Sequence, residues 1–329
     1  GAPAGRAASE VAECPGGFVE ARVMGLHRKG LVSPGEWHPV TLWPPISPVT
    51  IWRTALYFRN MIRPHVTVKI WDAREAEARE GLSKAEFFQK HSFVLLHRPT
   101  AMTARDWMLS APRTLDLSHF IGGYGMPEKE TPLSRLYARE VEQVVRELLP
   151  DCTHVELDPQ CARRGPGTKN PTYSLAVHAD YGFTAEDYPM ADRPESAFRR
   201  RFESPDVRGM MVLNFWRPVL PMRGPVLKTP LAVCDPGSVD LEDALGVNIR
   251  WDELGYVKML VLAHDERQKW YFYPEMTVDE VLVFKSFQYF KSQEGPELHT
   301  CFHTAFEVPS APPGAEDRQS AEYRVRVWF

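Results

Sequence analysis

The sequence lacks the signatures of several protein classes. It has five cysteines in 329 residues, and no two of them form a C-x-x-C pair. An odd, scattered set of cysteines argues against a disulfide framework and against a zinc finger, and it indicates a reducing compartment. No apolar run reaches the ~18 residues that a membrane span requires. We therefore expect a cytoplasmic protein without a membrane-embedded segment.

Two further absences narrow the function. Lys and Arg number 39 against 43 Asp and Glu, so the chain has no basic excess to attract nucleic acid. Neither a G-x-G-x-x-G turn that opens a helix nor a G-x-x-x-x-G-K-[ST] loop occurs, which argues against a nucleotide-binding fold. With 43% hydrophobic and 25% charged residues, the composition is that of a globular protein. A small molecule is the expected partner.

The N-terminal part differs in amino-acid composition from the rest. The proline-rich stretch at 43–48 is incompatible with a regular helix or a central strand, because proline lacks the N–H donor and fixes φ. We predict that residues 1–80 form a wrapping arm without a core of their own, and that 81–329 form one domain. A helix is expected over 83–91, where Ser83 and Glu86 fit a capping box. A second helix, at 132–149, has apolar residues at spacings of three and four and is expected to buttress a sheet.

After Pro150 the sequence consists of short β-rich runs separated by Gly, Pro and Asp. Strands are predicted at 153–157, 172–178, 209–216, 229–234, 256–263, 269–273, 281–287, 299–307 and 321–328, with one more at 94–96. Many short strands without alternating helices indicate a sandwich or barrel. The predicted fold class is mainly β with flanking helices, built on a double-stranded β-helix (jelly-roll, cupin-like) core.

The predicted strand at 172–178 runs into His178-Ala179-Asp180. Side chains at i and i+2 of a strand point to the same face, so His178 and Asp180 can aim at one point. A second imidazole would complete a 2-His-1-carboxylate triad, which leaves three positions open on iron(II). The motif alone is weak, and His154-Val155-Glu156 has the same shape.

The C-terminal region supplies the missing parts. His299 and His303 lie four residues apart on one predicted strand face, so either is a candidate for the second imidazole. Arg318 and Ser320 form an Arg-x-Ser pair, whose guanidinium and hydroxyl suit the distal carboxylate of 2-oxoglutarate. Arg324 lies at an even spacing from Arg318, so both would point to the same face of a strand. Arg324 is therefore an alternative residue for holding this carboxylate, a role called the clamp below.

Taken together, these motifs resemble the Fe(II)/2-oxoglutarate-dependent oxygenase superfamily. Within it the chain is similar to a biosynthetic group that includes cephem-methoxylase-related and gibberellin desaturase-like proteins. The resemblance covers about residues 90–329 and does not extend to the first 80 or so. The matching segments are Val177–Asp180, Asn214–Pro218, Pro230–Asp235, Asp279–Lys285, His303–Phe306 and Arg318–Arg324.

The resemblance implies site residues and cofactors. His178, Asp180 and His303 would bind iron(II), and Arg318 with Ser320 would hold 2-oxoglutarate, with O₂ as the third reactant. The His-Thr-Ala-Phe context favours His303 over His299. A carboxylate at 180 argues against an iron halogenase, which carries a small residue there.

The implied reaction is C–H hydroxylation, desaturation or oxidative cyclisation of a small secondary-metabolite or amino-acid-derived substrate, with succinate and CO₂ as co-products. Two alternatives stay open at this point. One is a non-catalytic partner subunit of an oxygenase or methoxylase system. The other is a cupin-type metalloenzyme that does not use 2-oxoglutarate.

The substrate pocket is expected beside the metal, where ligand sites combine aromatic walls with few polar groups. From the basic loop at 163–169, one cation is a candidate partner for a substrate carboxylate. The residues predicted to contact substrate are Asn214, Trp216, Arg217, Tyr181, Phe183 and Tyr124.

Overall fold

The structure, a computed structural model, describes residues 17–27, 38–41, 48, 51–52, 55, 65–110, 132–168, 173–188, 197–252 and 255–329. Tyr124, and Lys169 at the end of the basic loop at 163–169, lie outside this set. Within the described residues, no helix combines the length and the apolar character needed to cross a membrane.

The described residues form fourteen strands and five α-helices. The strands are β1 (Phe18–Met24), β2 (Leu26–His27), β3 (His38–Thr41), β4 (His65–Asp72), β5 (Phe93–His97), β6 (His154–Arg164), β7 (Gly209–Pro218), β8 (Leu231–Cys234), β9 (Ala244–Asp252), β10 (Gly255–Ala263), β11 (Trp270–Phe272), β12 (Glu280–Phe290), β13 (His303–Ala305) and β14 (Ser320–Trp328). The helices are α1 (Ala73–Glu80), α2 (Lys84–His91), α3 (Ala104–Ser110), α4 (Pro132–Leu148) and α5 (Ala197–Glu203).

The strands are arranged in three sheets. Their orders are β1-β4-β11-β8-β13, β2-β10-β9-β3 and β5-β12-β7-β14-β6. Most neighbouring strands are antiparallel. The predicted fold class, a mainly β jelly roll with flanking helices, is confirmed.

Strand β14 shows how the third sheet separates a core face from a site face. Tyr323, Val325 and Val327 are buried in the large apolar cluster on one face. That cluster also contains Tyr137 and Val141 of α4, so the helix covers this face. Because side chains alternate along a strand, Ser320 and its same-parity neighbours project to the opposite face.

Both helices predicted from the sequence are present, as α2 and α4. Ser83 and Glu86 form the expected capping box at the start of α2, which satisfies backbone N–H groups that the helix leaves unpaired. The apolar stripe of α4 places Val144, Val145 and Leu148 in the core.

The structure also departs from the predicted strands. Residues 173–180 form isolated β-bridges instead of a continuous strand, and the predicted strand at 299–307 is reduced to β13. β9 was not predicted, and β1 and β4 come from the predicted arm, where they pair with each other antiparallel. β4 also pairs with β11, so this part of the arm is sheet. The division of the chain at residue 80 stays a prediction.

A buried histidine fastens α2 to the sheet that carries His303. His91 Nδ1 lies 2.7 Å from Asp235 Oδ2, and its Nε2 lies 3.0 Å from Glu80. Burial acts to lower the pKa of His91, but the bonds and charges of Asp235 and Glu80 outweigh burial and raise it. Asp235 directly follows β8, and β8 pairs with β13, the strand that begins at His303. The contact therefore links α2 to the strand next to His303.

The raised pKa of His91 makes this contact depend on pH. A raised folded pKa gives stability that is fully present below the unfolded pKa of about 6.5 and is lost as pH rises through the folded value. We expect His91→Gln to lower the free energy of unfolding by about 3 kcal/mol at about pH 6, with a smaller loss at about pH 9. Urea unfolding of both proteins at the two pH values measures this difference.

Lys90→Gln is the matched control, because Lys90 pairs with the same Glu80 at the surface. We expect it to change the free energy of unfolding by less than about 1 kcal/mol. A loss in His91→Gln that is equal at both pH values would contradict the charged state assigned to His91.

Candidate active site

Backbone pairing brings the two histidines together. His178 and His303 form an antiparallel bridge in which each N–H donates to the other's carbonyl, at 3.2 and 2.9 Å. Their rings lie 4.4 Å apart between centroids. His303 is held from its other side by Val233 of β8, and Ala179 pairs with Leu260.

Both imidazoles are oriented by backbone carbonyls. Nδ1 of His178 lies 2.8 Å from the carbonyl of Ala176, and Nδ1 of His303 lies 3.1 Å from that of Cys301. A carbonyl only accepts hydrogen bonds, so in each ring Nδ1 carries the proton and donates it. Nε2 is then left with its lone pair, which is the form that binds a metal.

The third group is the carboxylate of Asp180. One donor atom from each of His178, Asp180 and His303 lies within 4.8 Å of the other two. Oδ1 of Asp180 is 3.8 Å from Nε2 of His178. The structure thus brings together all three residues predicted as ligands.

The charge state of this cluster suits a divalent cation. Burial, with a contribution from His303, lowers the pKa of His178 to about 4, and burial also lowers the pKa of His303. Burial acts to raise the pKa of Asp180, but Arg324 and both histidines outweigh it and hold that pKa well below its usual range. At neutral pH the cluster therefore has two neutral imidazoles and one carboxylate.

Three side chains donate to Asp180. Arg324 Nη2 donates to Oδ1 at 2.8 Å, and Asn214 Nδ2 donates to Oδ2 at 2.9 Å. The hydroxyl of Ser286 donates to Oδ2 at 3.3 Å. Arg324 therefore lies at the metal end of the site, and it is also 4.0 Å from Glu322.

The competing histidine motifs are occupied elsewhere. His299 Nε2 lies 2.7 Å from Glu297, near the surface. Glu156, from the second His-x-Glu motif, accepts from Trp328 and lies 3.7 Å from Arg326. Neither histidine belongs to a group of metal-binding side chains within the described residues.

A cavity of about 70 Å³ connects the cluster to the predicted clamp. It is lined by Ala162, Arg164, Ser174, His178, Asp180, Trp216, Leu231, His303, Thr304, Ala305, Arg318, Ser320, Glu322 and Arg324. The predicted metal ligands and the predicted cosubstrate residues thus line one space.

Arg318 is a buried cation beside two aromatic rings. Its guanidinium lies 4.1 Å from the ring of Tyr173 and 5.2 Å from that of Trp216, and Nη1 donates to the carbonyl of Thr229. Its Nε has no hydrogen-bond partner, and no carboxylate of the described part of the chain forms an ion pair with Arg318. Burial lowers its pKa to about 9, so it stays charged at neutral pH. Such a group is suited to an incoming carboxylate.

Only some of the residues predicted to contact substrate line the cavity. Trp216 lines the cavity, and Asn214 lies beneath Asp180. Arg217 does not line the cavity. Its Nη2 donates to the carbonyls of Arg98 and Val278, because residues 216 and 217 alternate across β7. Its contact with substrate stays a prediction. Tyr181 and Phe183 pack in apolar clusters beside the cavity and do not line it.

The basic loop contributes one cavity residue. Arg163 is buried and donates to Gln319 Oε1 and to the carbonyl of Ser320, whereas Arg164 lines the cavity. Sequence reasoning missed Ser286 and Glu322. The sequence could have predicted Glu322, because every second residue from Arg318 to Arg324 points to the same face of the strand. It could not have predicted Ser286, because the direction of that side chain depends on a register shift between Lys285 and Phe287.

The donor set fits iron(II). Two imidazole nitrogens and one carboxylate oxygen on one side of a metal are the ligands of non-haem iron oxygenases, and they leave positions for a chelating cosubstrate and O₂. Arg318 lines the same cavity, and its buried guanidinium is suited to the second carboxylate of a dicarboxylic cosubstrate.

Comparisons with known proteins agree with this geometry. "Aspirochlorine biosynthesis protein N" of Aspergillus oryzae is 33% identical over 121 residues, 36% of this chain and 48% of that protein. "Fe(II)/2-oxoglutarate-dependent dioxygenase nvfI" of Aspergillus novofumigatus is 32% identical over 116 residues, 35% of this chain and 39% of that protein. "Hydroxylase/desaturase CTB9" of Cercospora beticola is 28% identical over 172 residues, 49% of each chain. The chain spans about half or less of these curated relatives.

Solved structures show the same fold. The structure titled "iron and alpha-ketoglutarate-dependent endoperoxidase NvfI" matches with a TM-score of 0.62 and 20% identity, covering 94% of this chain and 98% of that one. The predicted resemblance to Fe(II)/2-oxoglutarate-dependent oxygenases is therefore confirmed. The family model described as YDMC, oxidoreductase/YMDC permease-like domain, matches residues 58–328. Since this match spans most of the sequence, the chain belongs to the YDMC oxidoreductase/YMDC permease-like family.

Proposed function

We propose that this protein is a non-haem iron(II), 2-oxoglutarate-dependent oxygenase that oxidises a C–H bond of a small biosynthetic substrate. The observation that carries the proposal is one cavity lined by both the His-Asp-His cluster and the buried cation Arg318. The relatives named as dioxygenase, hydroxylase/desaturase and endoperoxidase support it.

In this proposal Nε2 of His178, Nε2 of His303 and one oxygen of Asp180 hold the iron. The cluster offers a dication only one negative charge, so the complex remains cationic and attracts a dianionic cosubstrate. Bound iron(II) and 2-oxoglutarate supply the activation of O₂ needed to oxidise a C–H bond, with release of succinate and CO₂.

Arg318 and Ser320 set the position of the cosubstrate. A guanidinium held between two aromatic rings has little freedom to move, so it can grip the distal carboxylate in one orientation. Trp216 lies beside the guanidinium of Arg318 and also forms part of the cavity wall. The alternative clamp, Arg324, is engaged with Asp180.

The substrate class follows from the relatives, two of which carry names of biosynthetic or tailoring enzymes. We infer a small secondary metabolite or an amino-acid-derived compound, changed by hydroxylation, desaturation or oxidative cyclisation. We also infer a cytoplasmic location, supported by four buried free cysteines, Cys152, Cys161, Cys234 and Cys301, since a reducing compartment preserves free thiols.

The metal assignment makes a direct prediction. We expect His178→Ala, Asp180→Ala and His303→Ala each to weaken Fe(II) binding by at least about 100-fold, because each removes one of three ligands. They should also abolish the weak visible absorption that wild-type protein develops with Fe(II) and 2-oxoglutarate without O₂. Metal titration and anaerobic spectroscopy measure the two effects.

His299→Ala is the matched control, because His299 lies on the same segment as His303 but pairs with Glu297. It should bind Fe(II) as wild type does. Retention of the absorption band and of succinate formation by His178→Ala would refute the metal site. Loss of metal in His299→Ala but not in His303→Ala would transfer the ligand role to His299.

A second prediction concerns the clamp. We expect Arg318→Gln to raise the Kd for 2-oxoglutarate by about 100-fold, since it removes the charge partner of a buried carboxylate. Ser320→Ala should raise it by about tenfold. Metal affinity should stay close to wild type in both variants. Titration of the Fe(II)-loaded protein with 2-oxoglutarate in the absence of O₂ measures the change.

Lys228→Gln controls for the loss of a positive charge near the clamp, because Lys228 pairs with Asp317 at the surface next to Arg318. We expect an unchanged Kd. An Arg318→Gln variant that binds 2-oxoglutarate normally, beside an Arg324→Gln variant that does not, would show that Arg324 is the clamp.

A further inference from the structure

The hydrogen bonds around Asp180 leave it one acceptor position. An ionised carboxylate has about four lone-pair sites, two on each oxygen. Asn214 and Ser286 both donate to Oδ2, so both sites on that oxygen are occupied. Arg324 donates to Oδ1 and fills one site there. The remaining site is on Oδ1, the oxygen 3.8 Å from Nε2 of His178.

The two donors to Oδ2 are fixed in the sheet. Asn214 and Ser286 are both 0% exposed. Asn214 lies on β7, between Phe284 of β12 and Arg324 of β14 in the strand register. Ser286 lies at the irregularity of β12 between Lys285 and Phe287, and such irregularities change the direction of a side chain. Neither residue is free to move aside when a metal enters.

We propose that Asn214 and Ser286 are positioning residues that hold Oδ2 of Asp180 away from the metal and so limit Asp180 to one coordinating oxygen. The inference rests on the proposed function, because it assigns Asp180 as a metal ligand. It goes further by giving a role to two neutral side chains that do not themselves reach the metal.

The number of coordinating oxygens matters because the metal has few positions. Three protein atoms on a six-coordinate ion leave three positions, two for a keto acid and one for O₂. A carboxylate that binds through both oxygens takes one of these. An Asp180 released from Asn214 and Ser286 would therefore bind the metal more fully and compete with 2-oxoglutarate.

This role gives an unusual pair of effects. A hydrogen bond that merely supports a ligand weakens metal binding by about 10–100-fold when it is removed. Release of the second oxygen of Asp180 would instead strengthen metal binding, because it adds a ligand atom. Both substitutions are between neutral residues, so neither changes the charge of the site.

The test uses the full chain with Co(II) as the metal probe. We expect the double variant Asn214→Leu/Ser286→Ala to bind Co(II) as tightly as wild type or more tightly. Its Kd for 2-oxoglutarate should rise by about tenfold. The visible absorption of bound Co(II) should also change, since the second oxygen of Asp180 takes one of the open positions while the ion stays six-coordinate. The two single variants should show smaller changes in the same directions and guard against misfolding of the double variant.

Thr300→Val is the matched control. The Thr300 hydroxyl donates to the carbonyl of Ser286 at 2.8 Å and has no bond to Asp180. This substitution removes a buried hydrogen bond next to the same irregularity. The Co(II) affinity, the Kd for 2-oxoglutarate and the visible absorption should all stay at their wild-type values.

The outcomes separate this inference from the function beneath it. Parallel weakening of Co(II) and 2-oxoglutarate binding in the Asn214 and Ser286 variants would overturn the inference and leave the metal site standing. Unchanged affinities in those variants would overturn it as well. If the His178→Ala variant binds Co(II) as tightly as wild type does, the metal site itself is wrong, and the inference fails with it.

Discussion

The antiparallel bridge between His178 and His303 is the contact on which the site depends. Two segments from distant parts of the chain meet there through a pair of reciprocal backbone hydrogen bonds. In such a pair the side chains stand next to each other on one face, so the backbone alone sets the spacing of the imidazoles. Pairing of β13 with β8 and of Ala179 with Leu260 fixes both segments in the sheets. The cluster is therefore as rigid as the jelly roll that carries it.

A second constraint is the alternation of β14. One face of this strand supplies the core with Tyr323, Val325 and Val327, and the other supplies Ser320, Glu322 and Arg324 to the cavity. A slip of one residue would exchange the two sets, so core packing also fixes the register of the charged groups. Burial and the nearby Asp180 raise the pKa of Glu322, whereas Arg324 acts in the opposite direction.

The resemblance anticipated which side chains lie together better than the residue pattern anticipated the strands. His178, Asp180 and His303 converge, and they share a cavity with Arg318 and Ser320, as the resemblance implied, whereas the binding roles of these residues stay predictions. The strand at 172–178 was overpredicted because its apolar alternation signals burial, and buried chain need not form a ladder. Ser286 and the true direction of Arg217 depend on strand register and on local irregularity, which no single sequence displays. Glu322 was within reach, since it shares the parity of Arg318 and Ser320.

The buried charge of Arg318 links the cavity to the stability of the fold. Burying this cation beside Tyr173 and Trp216 is unfavourable where no carboxylate of the described residues forms an ion pair with it, and folding must overcome that cost. In the proposed role, a dicarboxylate bound at Arg318 would relieve this cost only in the native state, so the free energy of unfolding would rise with the logarithm of the dicarboxylate concentration.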